Sequence, residues 1–397
     1  MCAQSYDIVM LVLNDVVHDA RVRREAAALA GAGWRVLVIG TQRADGQQPD
    51  FETLQGFDLL RGRYRRLGAQ KWWPWRWIRH GLQAWQIIET VNGVPTRAYH
   101  AHDLPALILL SLVKTLWRKP SALVYDSHEL YLFMSVHRSR LFNFWHRLTR
   151  PAFMRLEGYL CRRADAVITL SESKARLLAM WYGIPRPVVV RNVIDPVGEG
   201  ALAPIDLQEI VGNRRYIVHT GQITQQGRCL TELVEALKLL PLDVALVFLG
   251  RGYAEEQELS RLAERLRIRE RVFLVPPVLP EQVPATIRTA AAAGVLLRSD
   301  DLNVRTSLPT KFFEALAGGV PVVTSSQYTV ARVVRQFDLG ECCLGNDPES
   351  IAAAFRKVFT PERQATCRAH IAAARQVINW QTEATRLDAV YREVLHD

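Results

Sequence analysis

Leu308 to Val323, LPTKFFEALAGGVPVV, sets an acid, a base and a helix start in an order that suits a nucleotide diphosphate. Pro309 stands where a helix can begin, Glu314 falls inside it, and Gly318 and Gly319 end it. Proline near the first turn and glycine past the last is the polarity of a helix. Helix starts attract phosphate through free N–H groups and the macrodipole. Ser307 and Thr310 bracket this start, so their N–H groups are candidate phosphate donors, with Leu308 and Pro309 lining the same entry. Glu314 could accept both hydroxyls of a ribose, at about 1.5–3 kcal/mol for each charge-assisted bond. Lys311, one turn earlier, faces a phosphate or solvent.

Three other segments carry chemistry. His219-Thr220-Gly221 follows a strand, Gly227-Arg228 precedes the next helix, and Gly250-Arg251-Gly252 follows another strand. Glycine lets backbone approach a ligand closely, and any tight strand-to-helix turn also prefers it. Arg228 is the candidate for neutralising a departing diphosphate. In the first half, Tyr125-Asp126-Ser127-His128-Glu129 ends a strand. Ligand residues in α/β sheets gather at such ends. Asp19 is a good helix N-cap and also a candidate for acceptor binding. His100 and His102 alternate onto one strand face, which suits a metal, but no third ligand has suitable spacing, so no metal is expected.

These residues must be positioned by repeated strand–helix units. Apolar strands are expected at 8–13, 36–39, 98–102, 123–126, 166–170 and 188–193, then at 216–219, 244–249, 272–274, 294–297 and 320–324. Segments with helical spacing separate them, notably 75–91, 104–117, 140–163, 171–182, 230–240 and 254–266. Pro196, Gly198, Gly200 and Pro204 mark residues 196–213 as a linker. The pattern predicts α/β domains at 1–195 and 214–378, with a last helix at 379–397 that packs back on the first.

Composition sets the limits. At 397 residues, 49% hydrophobic and 23% charged, the chain can bury two cores. Six cysteines without a CxxC pair suit reduced thiols. The apolar run 104–117 is too short to span a bilayer, and no secretory leader is expected. The net charge of +10 leaves anionic lipid and phosphorylated substrates open, while dispersed arginines without a motif argue against nucleic acid.

The segment around Glu314 resembles the donor-binding helix of retaining GT-B glycosyltransferases, family 4 type, in the variant PNKxFEYxAxGxPVV. Other parts resemble the same family in the same order. Residues 19–26, DARVRREA, are similar to its DxRVxREA, with Asn14 to His18 where paired glycines usually stand. His102-Asp103 resembles its HxHD strand end, and Asn192-Val193-Ile194-Asp195 its NGVD. In its G(R/x)xxxx(K/R)G region Gln222 takes the place of a frequent arginine, Arg228 matches the basic position, and Cys229 replaces the second glycine. Thr306 stands where many members have a second glutamate; Asp300, Asp301 and Asn303 are alternatives.

The resemblance implies two Rossmann-like doubly wound domains facing across a cleft. It implies a metal-independent hexosyltransferase without a cofactor, using a UDP- or GDP-linked sugar. His128, Arg228 and Lys311 would be catalytic. Gly221, Gln222, Gly250 and Thr306 would join Ser307–Thr310 and Glu314 around the donor. Asp19, Arg21, His102, Asp103, Asp126 and Glu129 would lie on the acceptor side. The acceptor would be a glycan or a polyprenyl-linked precursor, with a cytoplasmic location at the inner membrane face. A soluble small-molecule acceptor, an epimerase of the same fold and a non-catalytic binder remain alternatives.

One segment stands outside this pattern. In KWWPWRWIRHGLQAW, residues 71–85, Ile78, Leu82, Trp85 and Ile88 make a stripe expected to be buried. Trp72, Trp73 and Trp75 with Arg76 suit a membrane interface, an acceptor pocket or the edge of a core.

Overall fold

The computed structural model describes residues 5–17, 19–42, 49–62, 73–133, 140–194, 204–298 and 301–396; the side chains of 73–80, 131, 140–147 and 253 are outside the description. The chain divides into two compact units, one of Met1–Arg191 with Glu383–Asp397 and one of Asn192–Thr382.

Unit 1 holds an eight-stranded sheet: β1 (Tyr6–Leu11), β2 (Val36–Thr41), β3 (Phe51–Leu54), β4 (Phe57–Gly62), β5 (Thr96–His102), β6 (Ala122–Ser127), β7 (Ala166–Thr169) and β8 (Val188–Val189). Their order is β3-β4-β2-β1-β5-β6-β7-β8. All pairs are parallel except β3–β4. Unit 2 holds six parallel strands: β9 (Arg215–Thr220), β10 (Val244–Leu249), β11 (Val272–Val275), β12 (Ala292–Val295), β13 (Val322–Ser325) and β14 (Gly340–Cys343), ordered β11-β10-β9-β12-β13-β14. In each sheet the order reverses once, between β1 and β5 and between β9 and β12, and doubly wound sheets bind ligands at the strand ends there.

Helices on both faces explain the apolar strands. Tyr216 and Val218 of β9 with Ala245, Val247 and Leu249 of β10 join one core; Ile217 with Val244, Leu246 and Phe248 joins the other. A strand covered on both sides has no place for a polar face.

The structure departs from the sequence expectations where local signals were weak. The β3–β4 hairpin was not anticipated; Gln55 and Gly56 turn it with φ of 47° and 87°, and only alternate residues of β4 are buried. Strand β8 stops at Val189 instead of 193, because the Arg191 N–H donates to the Glu383 carboxylate, 2.9 Å away. Of the expected linker, 195–203 lies outside the described residues. Leu207–Val211 is a short helix whose Leu207 and Val211 are buried in a core of unit 2, so the linker does not extend to 213.

The Trp-rich segment is also different. Trp72 and the side chains of 73–80 lie outside the described residues. Among the described side chains of the helix Trp73–Asn92, Ile87, Ile88 and Val91 are buried, while Leu82 and Trp85 are exposed. Glu89 accepts a bond from the Trp85 indole at 2.7 Å, and the Trp85 ring lies 6.1 Å from that of exposed Trp117. Of the expected stripe Ile88 is buried, Leu82 and Trp85 are exposed, and the Ile78 side chain lies outside the described residues.

Candidate active site

In unit 2 the helix Thr310–Ala317 starts after Pro309, which has no capping side chain; the Phe312 N–H donates to the Pro309 carbonyl at 2.9 Å, and the N–H groups of Thr310 and Lys311 stand at the helix start. The helix sits beside the β9–β12 reversal. From it Lys311 Nζ reaches His219 Nε2 at the end of β9, 3.0 Å away. His219 Nδ1 lies 3.2 Å from the Gly294 carbonyl oxygen, to which it can only donate, so Nε2 is the acceptor for Lys311. One turn on, Glu314 Oε2 accepts a short bond from Thr220 Oγ1. Burial, then Arg228, holds the Lys311 ammonium well below its usual range, with Glu314 pulling the other way. Burial, then Lys311 and Arg228, keeps His219 neutral. Burial raises the Glu314 carboxyl, opposed by Thr220 and Lys311.

Arg228 is half-buried and donates to the Gln222 carbonyl at 2.8 Å, spanning its own loop. Neither Arg228 nor Lys311 has a carboxylate within ion-pairing distance among the described residues. Gly221 is exposed with φ of 84°. Gly250 serves that loop from beneath: a Cβ on it would lie 1.8 Å from the Gly221 oxygen, and one on Gly252 1.8 Å from the Ile223 oxygen. The need for glycine at 250 is therefore steric support rather than approach to a ligand. Thr306 Oγ1 donates to the Leu302 carbonyl at 2.8 Å and Ser307 Oγ to that of Asn303 at 2.6 Å, so both hydroxyl protons are used within their own turn. Asp301 caps the same turn by accepting from Asn303 N at 2.8 Å, and Asp300 lies outside the described residues.

In unit 1 the parallel pairing of β5 with β6, next to the sheet reversal, brings His100 and His102 of β5 beside Asp126 of β6. Arg21 donates to Asp126 Oδ2 at 2.8 Å through Nη2 and at 3.2 Å through Nε, pairs with Glu25 at 2.7 Å, and donates to the Val190 carbonyl. Arg21, His102 and Asp126 were expected to face an acceptor, but they are buried. Burial makes each seek partners inside the unit, and together they anchor what lies above. His128 Nε2 lies 3.0 Å from Asp126 Oδ2. Burial would lower that histidine, yet Asp126 and Asp103 prevail and push it up to about 9. Asp126 is held well below the carboxylate range because Arg21 and His128 outweigh its burial. Burial pushes Glu25 up to about 8 against the pull of Arg21.

Asp103, in the left-handed region at φ 67°, accepts from the N–H groups of His128 and Glu129 at 3.1 and 3.3 Å. Lys174 clasps the loop from the other side, donating to the His128 carbonyl at 2.6 Å. Asp103, His128 and Glu129 keep partly accessible side chains. Asp19 acts as an N-cap: Oδ1 accepts from Val22 N at 3.1 Å and Oδ2 from Asn14 at 2.8 Å. The loop before it holds Val16 at φ 65°, a conformation strained for a β-branched residue, where the family usually has glycines.

Sequence reasoning passed over the partners. His219 and Thr220 were visible only as a strand end, and Lys174 and Tyr391 carried no signal. Glu25 sits four residues after Arg21, a spacing that allowed the pair to be found. The expectation of no metal rested on spacing along the chain; the fold places Glu25 and Asp126 beside His100 and His102.

Comparison with known proteins agrees with this arrangement. Residues 20–197 match the family model described as Glycosyltransferase Family 4, and residues 207–377 match Glycosyl transferases group 1. D-inositol 3-phosphate glycosyltransferase of Xylanimonas cellulosilytica is 26% identical over 252 residues, 60% of this chain; the chain spans 59% of that protein's length. Sucrose-phosphate synthase from Thermosynechococcus elongatus superposes with a TM-score of 0.75 at 17% identity, covering 99% of this chain and 100% of that one. Anabaena HepE in complex with UDP and glucose superposes at 0.70 and 16% identity, covering 98% and 99%. At such identities the superpositions speak for the fold. No helix among the described residues is long and apolar enough to cross a membrane.

Proposed function

Because this chain is a GT-B glycosyltransferase of the family 4 type, we propose that it moves a hexose from a nucleotide-diphosphate sugar to an acceptor hydroxyl, with unit 2 holding the donor. The observation that carries this reading is Lys311. A buried ammonium is unfavourable unless paired, and here it donates to a neutral imidazole. Together with Arg228 and the open start of the helix Thr310–Ala317, it supplies positive charge at the sheet reversal that a diphosphate would neutralise. That charge stabilises the leaving group most as the glycosidic bond breaks. Glu314, with Oε2 held by Thr220, accepts the ribose. Uracil is the first candidate base, since HepE is described with UDP and glucose.

Transfer proceeds with retention, as the family resemblance implies, without a protein nucleophile and without a metal at the phosphates. His128, held by Asp126, meets the sugar. The preferred acceptor is a lipid-linked glycan precursor in surface polysaccharide assembly, reached by a chain lying at the cytoplasmic membrane face. The exposed Leu82, Trp85 and Trp117 support that reading. A second reading, a soluble polyol phosphate acceptor, is favoured by the name of the curated relative.

Thermal shift with UDP-, GDP- and TDP-sugars tests the donor assignment. A ligand at 100-fold its dissociation constant stabilises by about 2.7 kcal/mol. One of them should shift the wild type, and Glu314→Ala should lose most of the shift while folding normally. No shift with any of the three overturns the donor site.

A further inference from the structure

The cluster beneath His128 has buried donor atoms that no internal hydrogen bond uses. His100 Nδ1 is 2.6 Å from the Tyr391 hydroxyl, and His102 Nδ1 is 3.0 Å from His128 Nε2. The Nε2 of each ring is left over, and so is Oδ1 of Asp126; Glu25 accepts no hydrogen bond, and only its Oε1 is ion-paired, with Arg21. One donor atom each from Glu25, His100, His102 and Asp126 lies within 4.8 Å of those of the other three, and all four residues are at most 2% exposed. An unsatisfied buried polar atom costs about 1–3 kcal/mol, so this concentration needs an occupant. Direct bonds cannot supply it: His100 Nε2 stands 3.9 Å from Glu25 Oε2 and 3.8 Å from Asp126 Oδ2, beyond hydrogen-bond reach.

We propose that Glu25, His100, His102 and Asp126 bind one divalent first-row transition ion, zinc foremost, as a closed structural site. Two imidazoles with two carboxylates suit zinc, iron or manganese better than magnesium or calcium. Metal bonds of about 2.0–2.2 Å put tetrahedral donors about 3.4 Å apart, so the donors, which lie within 4.8 Å of one another, would draw together around the ion. Four protein donors leave no open position, which is the mark of a structural rather than a catalytic zinc.

Arg21 does not block the ion. Its Nη2 pairs with Oε1 of Glu25 and Oδ2 of Asp126, leaving Oε2 and Oδ1. It then acts as an outer partner of both carboxylates, as Tyr391 does of His100. The ion would bolt the helix Ala20–Gly31 to β5 and β6 directly under His128. It plays no part at the donor phosphates, so this inference stands or falls apart from the proposed reaction.

The test uses the full chain. Metal content is measured by elemental mass spectrometry as isolated without chelator. It is measured again after unfolding in guanidinium with chelator and refolding with Zn²⁺, Mn²⁺, Co²⁺ or no metal. About one ion per chain is expected, with a higher melting midpoint in the metal-refolded protein and tetrahedral absorption bands with Co²⁺. Glu25→Gln and His102→Gln should lower the stoichiometry, while Asp338→Asn, in a surface pair with Arg363, should not. If those variants do not fold, the wild-type series decides. Less than about a tenth of an ion per chain, as isolated and after exposure to metal, overturns the proposal and leaves the cluster to water.

Discussion

Replacing Lys311 by methionine should weaken donor binding without weakening the fold. The ammonium is buried with no carboxylate partner and donates to His219. Leaving a buried polar group short of partners costs roughly 1–3 kcal/mol, and more when it is charged, and the bond to His219 offsets about 1 kcal/mol of that. Methionine has a similar length and no charge, so the variant should be as stable as the wild type or more stable by up to about 2 kcal/mol. For a unit of this size that is a rise of as much as about 8 °C. Loss of a charge-assisted bond to phosphate costs about 1.5–3 kcal/mol, or ~10–150-fold in affinity. Thermal melts without nucleotide and calorimetric titration with UDP read the two effects separately. A lower melting point with unchanged UDP affinity would refute the argument and make Lys311 a structural tie to His219.

The same residue should make binding pH-dependent. Burial, then Arg228, depresses the free Lys311, and a bound diphosphate favours its charged form. Its pKa therefore rises on binding, and between the free and bound values binding takes up a proton. Affinity is full below the free pKa and lost as pH rises through the bound one. Calorimetry in two buffers of different ionisation enthalpy reads this uptake.

Three further outcomes follow from the site. Arg228→Ala should lower turnover more than donor affinity, because diphosphate charge grows as the bond breaks; normal kcat with only a raised KM contradicts this. Gly250→Ala should destabilise unit 2 more than Gly221→Ala in urea titrations. The first drives a Cβ to 1.8 Å from backbone, while the second meets open space and pays only left-handed strain of about 1–2 kcal/mol; the reverse order would show that the Gly221 loop yields. Transfer should persist in added chelator, since Arg228 and Lys311 rather than a metal meet the phosphates and the proposed ion is enclosed; a requirement for added Mg²⁺ or Mn²⁺ would refute this.

The sequence by itself determined the alternation of strand and helix, and with it two doubly wound units, because strands buried on both faces must be apolar throughout. It also determined the donor helix, whose Pro309, Lys311, Glu314 and Gly318 lie within a few turns, so that local spacing sets which residues are neighbours. Only the tertiary structure decided what those residues face. His219 and Thr220 reach Lys311 and Glu314 from more than ninety residues away because β9 lies at the reversal of the sheet. Tertiary packing also set which face of Trp73–Asn92 is buried, since Leu82 and Trp85 satisfy a helical period as well as Ile87 and Val91 do. The cluster of Glu25, His100, His102 and Asp126 comes from one helix and two strands. Only the parallel pairing of β5 with β6, with Ala20–Gly31 packed beside them, brings its side chains together. Spacing along a chain reports contacts within one element, whereas contacts between elements depend on sheet order and register, which no local pattern encodes.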